Sequence, residues 1–179
     1  MDTQETLSSA EVERLGQVED LIRRVFGEEM DLDEPILGMA ETDIIAANIH
    51  ELIHDSSTTI ATLEVDGKVV GASLAVPFEK MKIVSDEEAK DTAYIYFTGV
   101  EPDRQGEGLV EAVNDSMIEE LKARDYKFVA RDSVLTQNYA DKVEKAYDDA
   151  IVERYYHERW PEIGKQRFLK IELAKVASK

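Results

Sequence analysis

"GVEPDRQGEGLVEAV", Gly99–Val113, is the stretch on which the fold turns. The run that leads into it, "AYIYFTGV", is rich in β-branched and aromatic residues and reads as a strand. After it, Leu109, Val110, Val113, Met117 and Leu121 recur at helical spacing. Between strand and helix lies a short loop holding Gly106 and Gly108. The first-turn amides of a helix have no helical partners, the dipole places partial positive charge there, and glycines let a phosphate approach the backbone. A pyrophosphate fits such a site ahead of Leu109. A plain tight turn explains the same two glycines.

The elements outward from this point alternate. Val12, Leu15, Val18, Leu21, Ile22 and Val25 predict a first helix, with Ser8 and Glu11 as a capping box and Gly27 past its end. "ETDIIAANIHELIH", residues 41–54, predicts a second helix. "TTIATLEV" and "KVVGASLAV" flank Asp66 and Gly67 as a hairpin. Residues 77–90 read as a mobile, charged connection, and "TAYIYFTGV" as a third strand. "GLVEAVNDSMIEELKAR" is a helix, "YKFVARDSV" a strand, "YADKVEKAYDD" a helix, and "AIVERYYHERW" and "QRFLKIELA" are two closing strands. The order predicts a mixed α/β layer fold. With no repeat, low-complexity tract or long linker, residues 1–179 are expected to form a single domain.

Charge and composition exclude several function classes. The chain carries 39 acidic against 21 basic side chains, a formal charge of −18 that disfavours nucleic acid and anionic lipid. Cationic partners are attracted. No cysteine is present, so disulfides, thiolate metal sites and a cysteine-bound acyl group are excluded. No apolar run reaches the roughly 20 residues of a membrane span, and "MDTQETLSSAEVERL" lacks the order of a signal peptide. A cytoplasmic location is the expectation.

A second motif, "HELIH" at His50–His54, places two histidines one turn apart around Glu51, as in zinc hydrolases. On a helical wheel both lie opposite Ile45, Ile49 and Leu52, on a face turned to water or a groove. A third ligand, His157 or a distant carboxylate, is not singled out by the sequence, and Asp55 and Ser56 follow directly. Two solvated histidines and no metal are expected. A zinc hydrolase is the lesser alternative.

"VEPDRQGEGLV" resembles the acetyl-CoA-binding signature of the GNAT family of N-acetyltransferases. In that signature a valine, a proline two residues on, and a Gln/Arg-x-x-Gly-x-Gly/Ala loop join a strand to a helix. Val100, Pro102, Gln105, Gly106 and Gly108 match in place. "NYADKVEKAYDDAIV" resembles the family's asparagine, helix and tyrosine segment, with Tyr147 at the tyrosine position. The resemblance covers nearly the whole chain, with its first strand reduced to a few residues before Ser8. It implies an acyl-CoA N-acyltransferase fold with a mostly antiparallel sheet flanked by helices. It also implies acetyl-CoA as cofactor and direct acetyl transfer to an amine of a small molecule or peptide.

The same resemblance implies that backbone at Gly99 and Val100, at a splayed strand, holds the pantetheine and oxyanion. Gln105, Gly106, Glu107, Gly108, Leu109 and Val110 then cradle the pyrophosphate, Asn138 is a further cofactor contact, and Tyr147 donates a proton to sulfur, unless it is a core residue aligned with Ala140 and Val143. Val110 stands where the family has glycine or alanine, Glu107 where basic residues are common, and Asn138 lies farther from Tyr147 than usual. The strand position that often bears a catalytic carboxylate is Tyr94. The expected base is therefore Tyr94 and Tyr96 relaying a water to Asp91 or Asp132. Those tyrosines alternate with Ile95 and Phe97, so one strand face is apolar and the other carries hydroxyls, facing substrate or, in a homodimer, a second copy. A catalytically weak CoA-binding or acidic interaction protein of the same fold is the other alternative.

Overall fold

The computed structural model describes residues 8–26, 49–81, 83–135, 139–159, 161 and 164–177. The strand expected before Ser8, residues 41–48 of the second expected helix, Gly27 and Asn138 lie outside them. Helix α1, Ser9–Phe26, starts on the expected capping box. The Ser8 N–H donates to Glu11 Oε2 at 2.8 Å and the Glu11 N–H returns a bond to Ser8 Oγ at 3.3 Å. Its apolar stripe, Leu15, Val18, Leu21 and Ile22, is buried. Helix α2 spans Ile49–His54 and buries Ile49 and Ile53 against α1.

Strands β1, Thr59–Val65, and β2, Lys68–Pro77, form the hairpin. Asp66 and Gly67 turn it at φ 53° and 75°, the paired left-handed geometry of a two-residue turn that matches strand twist. Residues 77–90 are not the loose connection expected. A 3-10 turn at Phe78–Met81 and a short helix α3, Asp86–Ala89, drive Phe78, Met81 and Ala89 into the core, and Ser85 and Glu88 form a second capping box. Three apolar anchors at irregular intervals among charges give no period to read.

Strand β3, Thr92–Val100, leads to helix α4, Leu109–Ala123. Then come β4, Phe128–Val134, α5, Tyr139–Tyr147, β5, Ile151–His157, and β6, Gln166–Glu172. The six strands form one sheet in the order β1-β2-β3-β4-β6-β5, antiparallel except for the β3–β4 pair. Helices α1 and α2 cover one face and α4 the other. Val113, Met117, Ile118 and Leu121 of α4 are buried, each contributing about 1.5–3 kcal/mol by leaving water. Gly71 lets α4 approach, since a Cβ there would stand 2.6 Å from Val113 Cγ2.

Two irregularities position the site. Parallel pairing of β3 with β4 runs only from Thr92 opposite Phe128 to Ile95 opposite Arg131. Beyond that point β3 stays on β2 and β4 on β6, so the two strands part. At the fork the β2–β3 register slips. Leu74 faces Phe97 and Ala75 faces Ile95, leaving Tyr96 as a bulge. The bulge overturns the expected alternation. Ile95 packs with α4, but Phe97 turns to α1 on the face that Tyr94 also takes. Tyr94 is 4% exposed, inside the chain, and offers no ladder to a second copy.

Candidate active site

Loop 101–108 follows the open end of β3. Glu101, its first residue, is buried and receives Arg24 from α1 and Lys68 from β2 at 2.8 and 2.9 Å. Burial alone would raise its carboxyl, but the two cations outweigh that and hold it below the usual carboxylate range. The loop is thereby pinned at its root. Gly106 and Gly108 take φ 91° and 79°, a region costly to other residues, and a Cβ built at either meets nothing within 4 Å. Gly108 is the N-cap of α4 and offers no side-chain cap, so the first-turn amides keep their need for an acceptor.

The residues fit a nucleotide diphosphate on three counts. The cradle is open where a side chain would close it, the helix start is uncapped, and Glu107 does not turn inward. Its Oε2 accepts from Arg104 Nη2 at 2.8 Å and Nε at 3.1 Å along the loop's outside. Val110, branched where the family has a small residue, is half-buried. Leu109 opens α4, and Gln105 is exposed in the turn before it. On β4, Arg131, the last residue paired with β3, and Ser133 beyond it carry a buried Nε and Oγ with no hydrogen-bond partner among the described residues.

Gly99 and Val100 form the free end of β3. The absence of a side chain at Gly99 has a packing reason, since a Cβ would meet the Phe97 ring at 2.5 Å and Val25 of α1 at 3.2 Å. Beyond Ile95 the edge of β3 is no longer paired with β4. Tyr147, at the end of α5, is half-buried against the α4 layer, and burial pushes its phenol up to about 12. At neutral pH it holds its proton.

The opposite face of the gap carries a network that the sequence did not assemble. The Tyr94 hydroxyl donates to Asp132 Oδ2 at 2.8 Å, and His157 Nε2 lies 2.5 Å from Asp132 Oδ1. Arg159 Nη1 stands 3.5 Å from the same carboxylate, and the Arg159 backbone N–H donates to His157 Nδ1 at 3.1 Å. This arrangement sets the tautomer with the hydrogen on Nε2, toward Asp132. Phe78 stacks on Tyr94 and on Phe168, and Tyr155 stacks on Phe168, forming an aromatic floor.

Burial first, then the Asp132 charge and hydrogen bond, push the Tyr94 phenol well above its usual range. Tyr94 is therefore a donor that positions Asp132, bound to it directly and without a relaying water. Tyr96, on the bulge, is half-buried, and burial pushes its phenol up to about 12. Asp91 is excluded from the centre. It precedes the far end of β3 and pairs with Lys127 at 2.6 Å. His157, expected either nowhere in particular or on a metal, joins β5 to this network. His50 and His54 sit on α2, beside Glu19 of α1.

The sequence of the acetyltransferase (GNAT) family matches residues 20–142, more than half of the chain. No curated protein matches the chain. Among solved structures, the ribosomal-protein-S18-alanine N-acetyltransferase from Escherichia coli is 13% identical, with a TM-score of 0.60 over 97% of this chain and 94% of its own. An N-acetyltransferase from Staphylococcus aureus Mu50 is 14% identical, with a TM-score of 0.58 over 94% and 96%. The protein yncA from Salmonella typhimurium, solved with its cofactor acetyl-CoA, is 15% identical, with a TM-score of 0.51 over 68% and 69%. These likenesses establish the fold. No described helix is long and apolar enough to cross a membrane.

Proposed function

The chain belongs to the acetyltransferase (GNAT) family, and we propose that it transfers the acetyl group of acetyl-CoA to a primary amine of a cationic acceptor by direct attack. The observation that carries this reading is the parting of β3 from β4 after Ile95 and Arg131, directly before the uncapped start of α4. Bound acetyl-CoA supplies a thioester whose C–S bond breaks as the new N–C bond forms. Amides of Leu109 and Val110 and the Gln105–Gly108 loop would hold the diphosphate. Backbone at Gly99 and Val100 would orient the acetyl end and meet the negative charge that develops on oxygen.

The donor would reach the parting of β3 and β4 from the α4 side and the acceptor from the side of the aromatic floor. On the acceptor side the Asp132 carboxylate takes the proton that the amine must lose, with Tyr94, His157 and Arg159 fixing it in place. On the cofactor side Tyr147 gives its proton to the departing sulfur. The surplus of acidic side chains, 39 to 21, favours a cationic acceptor, whether small molecule or peptide. The ion pair of Glu107 with Arg104 supports this reading over that of a weak CoA binder.

The test is calorimetric titration with acetyl-CoA followed by a panel of amines, reading release of free CoA. One-to-one binding and amine-dependent release of CoA are expected. Stoichiometric binding without turnover on any amine leaves the non-catalytic alternative, and no binding refutes both.

A further inference from the structure

We propose that Glu19, His50 and His54 form a site for a divalent transition ion of the zinc type, tying α1 to α2. The two imidazoles stand one turn apart on the exposed face of α2, with ring centroids 4.7 Å apart. Glu19 reaches between them from α1. Its Oε1 lies 2.8 Å from His50 Nδ1 and 3.4 Å from His54 Nε2, and the three ligand atoms all fall within 4.8 Å of one another. A tetrahedral zinc ion with bonds of about 2.0–2.2 Å needs ligand atoms about 3.3 Å apart. A small pivot of the side chains therefore meets the requirement.

The backbone that carries the ligands is already fixed. Leu15, Val18, Leu21 and Ile22 of α1 pack in one cluster with Ile49 and Ile53 of α2, so Glu19 is presented to the histidines by the core beneath it. Each ligand alone has a plain role on a solvated surface. Their convergence from two helices is what sequence spacing lacked, since the third ligand stands 31 residues before His50. Two nitrogens and one carboxylate select zinc-type ions over magnesium and calcium, which prefer all-oxygen sets. The cation's charge also suits a chain of net −18. The histidine side chains are 51% and 41% exposed, so the site opens on the surface, and binding rather than hydrolysis is inferred. It is independent of the acetyl-transfer centre.

The test uses the full chain, stripped with a chelator, dialysed and titrated with zinc sulfate. One zinc per chain is expected, with a Kd on the order of micromolar and a rise in Tm. Cobalt(II) in place of zinc should give the visible absorption of a low-coordinate site. His54→Ala and Glu19→Gln should each weaken binding at least about tenfold and abolish the Tm rise, while acetyl-CoA affinity stays unchanged. Circular dichroism verifies their fold. Equal zinc affinity in wild type and His54→Ala, several loosely held ions per chain that magnesium displaces, or no stoichiometric uptake would each overturn the assignment.

Discussion

The loop ahead of α4 and the carboxylate of Asp132 flank the same opening in the sheet, yet they are made of different material. The loop offers backbone. Its amides, two glycines at positive φ and a helix start come from ten consecutive residues, pinned at one end by Glu101. The Asp132 side offers side chains from β3, β4 and β5 and the turn after β5, with Tyr94, Asp132, His157 and Arg159 tied within 3.5 Å. Under the proposed function, backbone would grip a nucleotide that is the same in every turnover, while side chains would carry the proton, with a chemistry open to retuning.

The largest effect should come from the side-chain half. Asp132→Asn keeps the shape and removes the charge, so kcat should fall by about 10²–10⁴ with acetyl-CoA affinity unchanged. Loss of acetyl-CoA binding in this variant would make the network a scaffold for the gap, and the division into two halves would fail. Tyr147→Phe should lower kcat by about tenfold, less than a full acid–base role, because a thiolate leaves readily without much help. Its acetyl-CoA affinity should be that of wild type. A larger fall in stability than in kcat would assign Tyr147 to the core alone.

The backbone half is tested with Gly108→Val. A branched residue at φ 79° is strained by about 1–2 kcal/mol, and its side chain fills the space left open in front of the helix. The Kd for acetyl-CoA should rise at least about tenfold, a change of 1.4 kcal/mol or more. Gly164→Val, at φ 76° in the β5–β6 connection, carries the same strain away from the loop. It should lower Tm alike and leave the Kd alone. Equal effects of both variants on binding would reduce the loop to an ordinary turn.

How much of this was legible follows the same division. Strand, loop and α4 are contiguous, so spacing alone gave the bounds of β3 and the start of α4. The hairpin at Asp66–Gly67 was equally plain, because a two-residue turn is a local signal. Asp132 was named only as one of two carboxylates, and Arg24 with Glu101 not at all, since 77 residues separate them and no local pattern pairs them. The bulge at Tyr96 left no mark either. It arises from how β3 meets β2, and "YIYF" reads as unbroken alternation. Phe78 and Met81 were missed because burial there is set by the aromatic floor around Tyr94 and not by a period.

The smallest expected effect concerns the wall beside that floor. Asp55, just past α2, accepts from Lys80 Nζ at 2.6 Å and from the Ser57 hydroxyl and amide, joining the end of α2 to the 3-10 turn after β2. The lysine bond, then the serine bonds, hold its carboxyl down at about 2 against an ordinary 3.8. A folded-state value below the unfolded one means that the contribution is complete above about pH 4 and fades as pH falls through 2. With over a third of the side chain in water, screening limits it to about 1 kcal/mol, or about 2–4 °C in Tm for a chain of this length. Asp55→Asn should therefore melt lower than wild type at neutral pH, and the two curves should converge between pH 4 and pH 2. If their separation stayed constant across that range, the lost hydrogen-bond geometry and not the charge would account for the difference. Acetyl-CoA affinity measured at neutral pH should be the same in both, because the wall that Asp55 fastens belongs to the side-chain half of the centre and not to the backbone half.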